Sequence, residues 1–151
     1  MKETLLPDLL AFLAKAPALA DLPLRVEDAG PAPGTGGLWP RGVTVTARKE
    51  DLLGGVTLRC QGEFLLRLCL PLPPGDDAQA LRNAGRLLAL QSWVAAQSAA
   101  HSLPHFGTGL PEGETLRAVD GRLEKTDSGG TARYTLRLLA EYTEIYKEET
   151  P

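Results

Sequence analysis

Two stretches of this chain alternate apolar and polar residues for about fifteen positions each, where an average strand runs about five or six. In the first, Val56, Leu58, Cys60, Phe64, Leu66, Leu68 and Leu70 share one parity, against Thr57, Arg59, Gln61, Glu63 and Arg67 on the other. In the second, Ala132, Tyr134, Leu136, Leu138, Ala140, Tyr142 and Tyr146 oppose Thr131, Arg133, Thr135, Arg137, Glu141, Thr143 and Lys147. A period of two puts successive side chains on opposite faces of a sheet, so each stretch is a ribbon, greasy on one side and wet on the other. Ribbons of this length outrun the core of a small domain and leave backbone edges for another partner. That favours assembly over catalysis.

The remaining elements fit around the ribbons. Residues 4 to 15 read as a helix, capped by Thr4 or Asp8, with Leu6, Leu9, Leu10 and Leu13 on its apolar face and Pro17 as its stop. Leu24 and Val26 suggest a short strand, and a Pro/Gly-rich loop follows at about 29–40, with Trp39 as its anchor or as part of a contact surface. Val43, Val45 and Ala47 begin a strand that turns through Asp51, Gly54 and Gly55 into the first ribbon, an antiparallel hairpin. Asp76 or Asp77 caps a helix to about Ala100, with Leu81, Ala84, Leu87, Leu88, Val94 and Ala95 facing inward and Arg82, Asn83, Arg86 and Gln97 outward. After a loop from His101 to Glu114, Asp120-Gly121 is a hairpin signal between Thr115–Val119 and Arg122–Thr126, which makes the C-terminal third a three-stranded meander. The expected fold is α+β: a mainly antiparallel sheet with two long strands, covered on one face by an N-terminal helix and a long central helix. With 151 residues, the chain is read as a single domain.

Charge and motifs narrow the function classes. A net charge of −3, with 16 scattered Lys and Arg, argues against a nucleic-acid face. The apolar stretch from Leu5 to Leu22 is broken by Pro7, Asp8, Lys15, Pro17 and Asp21, which fits neither a signal peptide nor a membrane span. Cys60 and Cys69 fall on opposite parities of one ribbon and are expected to be free thiols. Gly34-Thr35-Gly36-Gly37 lacks the Lys-Ser/Thr ending and the following helix of a phosphate loop. His101 and His105 have Pro104 between them, so they read as a helix cap and a loop residue and not as metal ligands. No serine has nucleophile-elbow context, so no catalytic, cofactor or metal residue is assigned. Tyr142 and Tyr146 either cover the helix or the loop carrying Phe106, or meet a neighbouring subunit.

Several phrases together resemble the tail-terminator, or minor capsid, proteins of tailed phages and prophages. They are Arg48-Lys49-Glu50-Asp51-Leu52-Leu53-Gly54 before the first ribbon, Leu90-Gln91-Ser92-Trp93-Val94 late in the long helix, and Leu103-Pro104-His105-Phe106-Gly107 after it. To these add Leu116-Arg117-Ala118-Val119-Asp120-Gly121-Arg122-Leu123, leading to Ala132-Arg133-Tyr134-Thr135-Leu136. The likeness spans roughly Val43 to Lys147, and the Ala29–Gly37 loop has no counterpart in it.

The resemblance implies a non-enzymatic virion protein whose copies close into a ring, expected as a hexamer, on the end of a tail tube. Such a ring stops polymerisation of the tube protein and offers a docking surface to head–tail connector proteins. A head-to-tail interface closes when the rotation per subunit divides the circle, and long strands can donate edges to neighbours. A negative lumen would not hold passing DNA. The expected subunit interface comprises Arg59, Arg67, Arg133 and Arg137 on the polar faces of the ribbons, with Glu63 and Glu141 as carboxylate partners across subunits, and Tyr142 and Tyr146 at the strand end. A head–tail joining or stopper protein is the rival within this class. A small α+β ligand-binding module is the rival outside it, signalled by a deep apolar cavity under the long helix, and an enzyme comes third.

Overall fold

A computed structural model describes residues 4–27 and 33–147. Helix α1 (Leu5–Ala14) leads through a 3₁₀ turn to strand β1 (Leu24–Val26), then β2 (Thr35–Glu50), β3 (Val56–Pro71), helix α2 (Asp77–Ala99), β4 (Thr115–Thr126) and β5 (Thr131–Tyr146). The five strands form one sheet in the order β1-β2-β3-β5-β4. Only the β1–β2 pair is parallel; the other three pairs are antiparallel. Both helices lie on one face, so the expected α+β architecture with two long strands is what the chain adopts.

Register explains why that face is the core. β3 and β5 pair without a slip from Val56↔Tyr146 to Pro71↔Thr131, which sets Phe64 beside Leu138, Leu66 beside Leu136 and Leu68 beside Tyr134. These six are buried, as is Leu38 of β2 opposite Leu66. Leu9 and Leu13 of α1 and Leu87, Leu90 and Val94 of α2 fill the space above them. Each such side chain removed from water contributes about 1.5–3 kcal/mol. Phe12 and Trp93, with ring centroids 4.8 Å apart, lock the two helices together. Arg86 donates to the Ala18 carbonyl (2.9 Å) and to Asp21 (2.8 Å), and this bond holds the Asp21 carboxyl below its usual range.

Four expectations need correction. The Asp120-Gly121 hairpin and the three-stranded meander do not form. Thr115–Thr126 is one strand with a bulge between Val119 and Arg122, and Asp120 takes the left-handed conformation (φ 54°) inside it. The loop at about 29–40 is shorter: Thr35–Pro40 already belongs to β2, because it pairs with Phe64–Cys69 of β3. Residues 28–32 lie outside the described residues. The buried side of α2 is Asn83, Leu87, Leu90 and Val94, so Asn83 points in while Leu81 and Leu88 point out. In α1, Leu5 and Phe12 are buried in place of Leu6 and Leu10, which are only partly covered.

Asn83 turns inward because its amide has work there. Nδ2 donates to the Pro71 carbonyl at 2.9 Å and to the Tyr134 hydroxyl at 3.3 Å, while Oδ1 accepts from Gln79 at 2.8 Å. A buried amide is tolerated when its donors and acceptors are filled in this way. It ties α2 to the ends of both ribbons.

Candidate functional site

Three surfaces stand out: the uncovered face of the sheet, the loop packed on the end of β5, and the arm formed by the far end of β2 and the turn that joins it to β3. The uncovered face follows from the ribbon parity. Most residues between the core positions are polar, with Leu65, Cys69 and Leu139 as exceptions, and register sets Arg59 beside Thr143, Glu63 beside Leu139, Arg67 beside Thr135 and Cys69 beside Arg133. The result is a network of ion pairs that crosses strands.

Arg137 is its centre. Nε lies 2.5 Å from Glu63 Oε1 and Nη1 lies 2.6 Å from Asp120 Oδ2, and these bonds, the one to Asp120 foremost, raise the pKa of the guanidinium further. The bulge in β4 is what turns Asp120 toward it. Arg67 lies over the Trp39 ring, its guanidinium carbon 4.9 Å from the centroid, and pairs with Glu124 at 3.5 Å. Arg59 donates to Thr143 Oγ1 (3.1 Å) and the Gly113 carbonyl (2.9 Å) and pairs with Glu141 at 3.8 Å. Arg133 lines a shallow hollow with Cys69, Lys125 and Asp127.

The four arginines therefore share the open face, and Glu63 and Glu141, expected as partners across subunits, pair with Arg137 and Arg59 within the chain. These half-exposed pairs fix the shape of the face; exposed ion pairs contribute little to stability. Tyr142 is a correction: it is 1% exposed and stacks on Phe106 with centroids 6.2 Å apart, so it belongs to the chain's own core and offers nothing to a neighbour. Burial pushes its hydroxyl up to about 12. Tyr146, further along the same strand, is half-exposed.

The second surface went unread in the sequence. Glu114 is 2% exposed, and its carboxylate accepts the Phe106 N–H (2.9 Å), the Gly107 N–H (2.9 Å) and His105 Nδ1 (2.8 Å). This places His105 as a loop residue. His101 ends α2: its N–H bonds the Ser98 carbonyl and the Ser102 N–H bonds that of Gln97, a Schellman motif. Among the described residues, no three His, Cys, Asp or Glu side chains converge to hold a metal ion, and no helix is long and apolar enough to cross a membrane. Cys60 and Cys69 are buried thiols outside any disulfide, each with its pKa raised by burial.

The third surface is the arm. Every residue from Pro40 to Glu50 is exposed. β1 borders β2 only at Gly36, Gly37 and Leu38, so beyond Leu38 the outer edge of β2 has no strand partner among the described residues. At the tip, Asp51 Oδ1 accepts the N–H groups of Leu53 (2.9 Å) and Gly55 (2.8 Å), and Gly54 supplies a left-handed φ of 84°. That tight turn drives Leu52 and Leu53 outward, at 104% and 84% exposure. Two leucines inside an Asp-to-Gly turn were the legible signal for this tip, since turn interiors are ordinarily polar. No protein-family model matches the chain, and no curated protein matches it.

Proposed function

We propose that this chain is a structural virion protein, a tail terminator that assembles head to tail as a ring on the end of a phage tail tube. The ring stops polymerisation of the tube protein and gives the head connector its docking surface. The observation that carries this reading is the arm, the Pro40–Glu50 stretch of β2 at the edge of the sheet, with a free outer edge, a fully exposed Leu-Leu tip and half-exposed Val43 and Val45. A soluble monomer gains nothing from projecting such a surface into water, whereas a subunit that joins its neighbours does. The resemblance from Val43 to Lys147 supplies the virion context.

A small-ligand module fits less well, because the space under α2 is filled by Leu87, Leu90 and Val94, which are 5%, 0% and 0% exposed. Electron microscopy of the purified protein mixed with tail tube protein tests the reading. Rings capping tube ends are expected. Monomers only, at high concentration and with tube protein present, would refute it, and decoration of the connector end alone would favour the stopper role.

A further inference from the structure

Strand register gathers on one face cations that are scattered along the sequence. To the four arginines of the open face, β2 adds Arg41 and Lys49, and β4 adds Arg117, Arg122 and Lys125. Nine of the chain's 16 Lys and Arg therefore stand on this side of the sheet. Only five of its 19 Asp and Glu join them: Glu63, Asp120, Glu124, Asp127 and Glu141. The rest of the chain keeps seven cations and fourteen carboxylates. A protein of net charge −3 thus turns one strongly cationic face outward and is acidic elsewhere.

Several of these cations are open to an outside anion. Among the described residues, Arg41, Lys49, Arg122, Lys125 and Arg133 make no ion pair. Arg41 and Arg122 line a hollow of about 280 Å³ together with Arg67 and Arg137. The Arg67 Nε–H is buried there without a hydrogen bond, 3.5 Å from Glu124 Oε2. A buried donor left unfilled favours any acceptor that can reach it. Lys125 and Arg133, neighbours across the strands, line the next hollow along the sheet.

Extent and composition decide the class of anion. Lys49 lies level with Thr57 of β3, and Lys125, through Arg133, lies level with Cys69, about 40 Å away at strand rise. That exceeds one turn of duplex DNA, about 34 Å. A protein partner would look for an apolar, aromatic centre. Here Leu139 is buried, Leu65 and Val119 are partly covered, and Trp39 is capped by Arg67. Among the described strand residues of this face, Ile145 at its end is the only exposed large apolar side chain. With Trp39 taken, unpaired bases also find no ring to stack on, which disfavours single strands.

We propose that the open face of the sheet binds the phosphate backbone of double-stranded DNA, by charge and without reading bases. Such binding is driven by release of the counterions condensed on the duplex. The inference stands apart from the ring reading, because a single copy carries the whole face.

The test is fluorescence anisotropy of a labelled duplex of arbitrary sequence, titrated with the full chain over a range of salt. The wild type is expected to bind at low salt. Five free cations set a slope of about −4.5 in log K against log salt, so doubling the salt should weaken binding about 20-fold. Arg122→Glu with Lys125→Glu should weaken binding at least about tenfold and flatten the slope by about two. Lys15→Glu with Arg82→Glu, of the same net charge but placed on the helix side, should stay within about threefold of wild type. Circular dichroism checks folding, and Arg41→Glu with Lys49→Glu stands in should the first pair not fold.

A wild type that does not bind the duplex at low salt overturns the proposal. So does a helix-side variant that loses as much affinity as the face variant, since net charge alone would then be acting. Tighter binding to labelled polyglutamate than to the duplex also overturns it, and assigns the face to an acidic protein. None of these outcomes alters whether copies close into a ring, so the two readings fail separately.

Discussion

Glu114 and His105 meet through Oε1 and Nδ1 at 2.8 Å, and the same carboxylate takes the N–H groups of Phe106 and Gly107. One buried side chain thus organises the whole loop between α2 and β4, and through Phe106 it sets the ring that stacks on Tyr142. Replacing Glu114 with Ala strands two buried backbone donors, each costing about 1–3 kcal/mol. Glu114→Ala is expected to lose about 2–4 kcal/mol in urea unfolding. Glu114→Gln, which keeps one acceptor oxygen, should lose roughly half of that.

Gly107 lies where that loop crosses β5. A Cβ built there would sit about 2.4 Å from the Thr143 carbonyl oxygen, a backbone atom that cannot swing aside. Gly107→Ala should cost about 1–3 kcal/mol. In a chain of this size, each kcal/mol lowers the melting temperature by about 2–4 °C, so calorimetry resolves the effect.

His101 closes α2 with a φ of 54°, a conformation that costs any residue with a Cβ. The Schellman bonds beside it are made by backbone alone. His101→Gly should therefore stabilise the protein by about 0.5–1 kcal/mol. A gain in the urea midpoint with an unchanged slope is the expected reading.

Much of this fold was legible because the ribbons carry their own parity. Once Phe64, Leu66, Leu136 and Leu138 are assigned to one face, the helices have only one place to go. The misreadings occurred where a local signal met a distant partner. Asp120-Gly121 has the composition of a hairpin turn, but Asp127–Gly130 already turns the chain, and Arg137 on the neighbouring strand takes the Asp120 carboxylate into a bulge. The face of α2 was misphased because its apolar residues surround the axis; only the Pro71 carbonyl and the Tyr134 hydroxyl explain why Asn83 is inside. The arginine cluster was foreseen as a face, while its pairing with Glu63, Asp120 and Glu124 depends on a register across three strands.

Tyr142 gives the protein an alkaline weakness. Burial raises its pKa from 10.0 to about 12, so the folded state keeps a proton that the unfolded chain releases earlier. A group raised in this way stabilises fully below the unfolded value, and that contribution is lost as pH climbs through the folded one. Between about pH 10 and 12 the protein should lose roughly 2–3 kcal/mol on this account. Tyr142→Phe should remove that difference while the wild type's other alkaline losses remain. Absorbance at 295 nm, followed alongside unfolding in wild type and variant, checks it.

The arm tip separates assembly from folding. Leu52 and Leu53 are held outward by the Asp51 turn and touch no core residue, so their hydrophobicity does nothing for the isolated subunit. Leu52→Asp and Leu53→Asp together should leave urea stability within about 0.5 kcal/mol of wild type. Two carboxylates at the tip of an interface, by contrast, would be desolvated without partners, and an unpaired buried charge is strongly unfavourable. Light scattering of the double variant should then show lost or much weakened association. A double variant that folds normally and associates as tightly as wild type would confine the contact to the strand of the arm and exclude its tip.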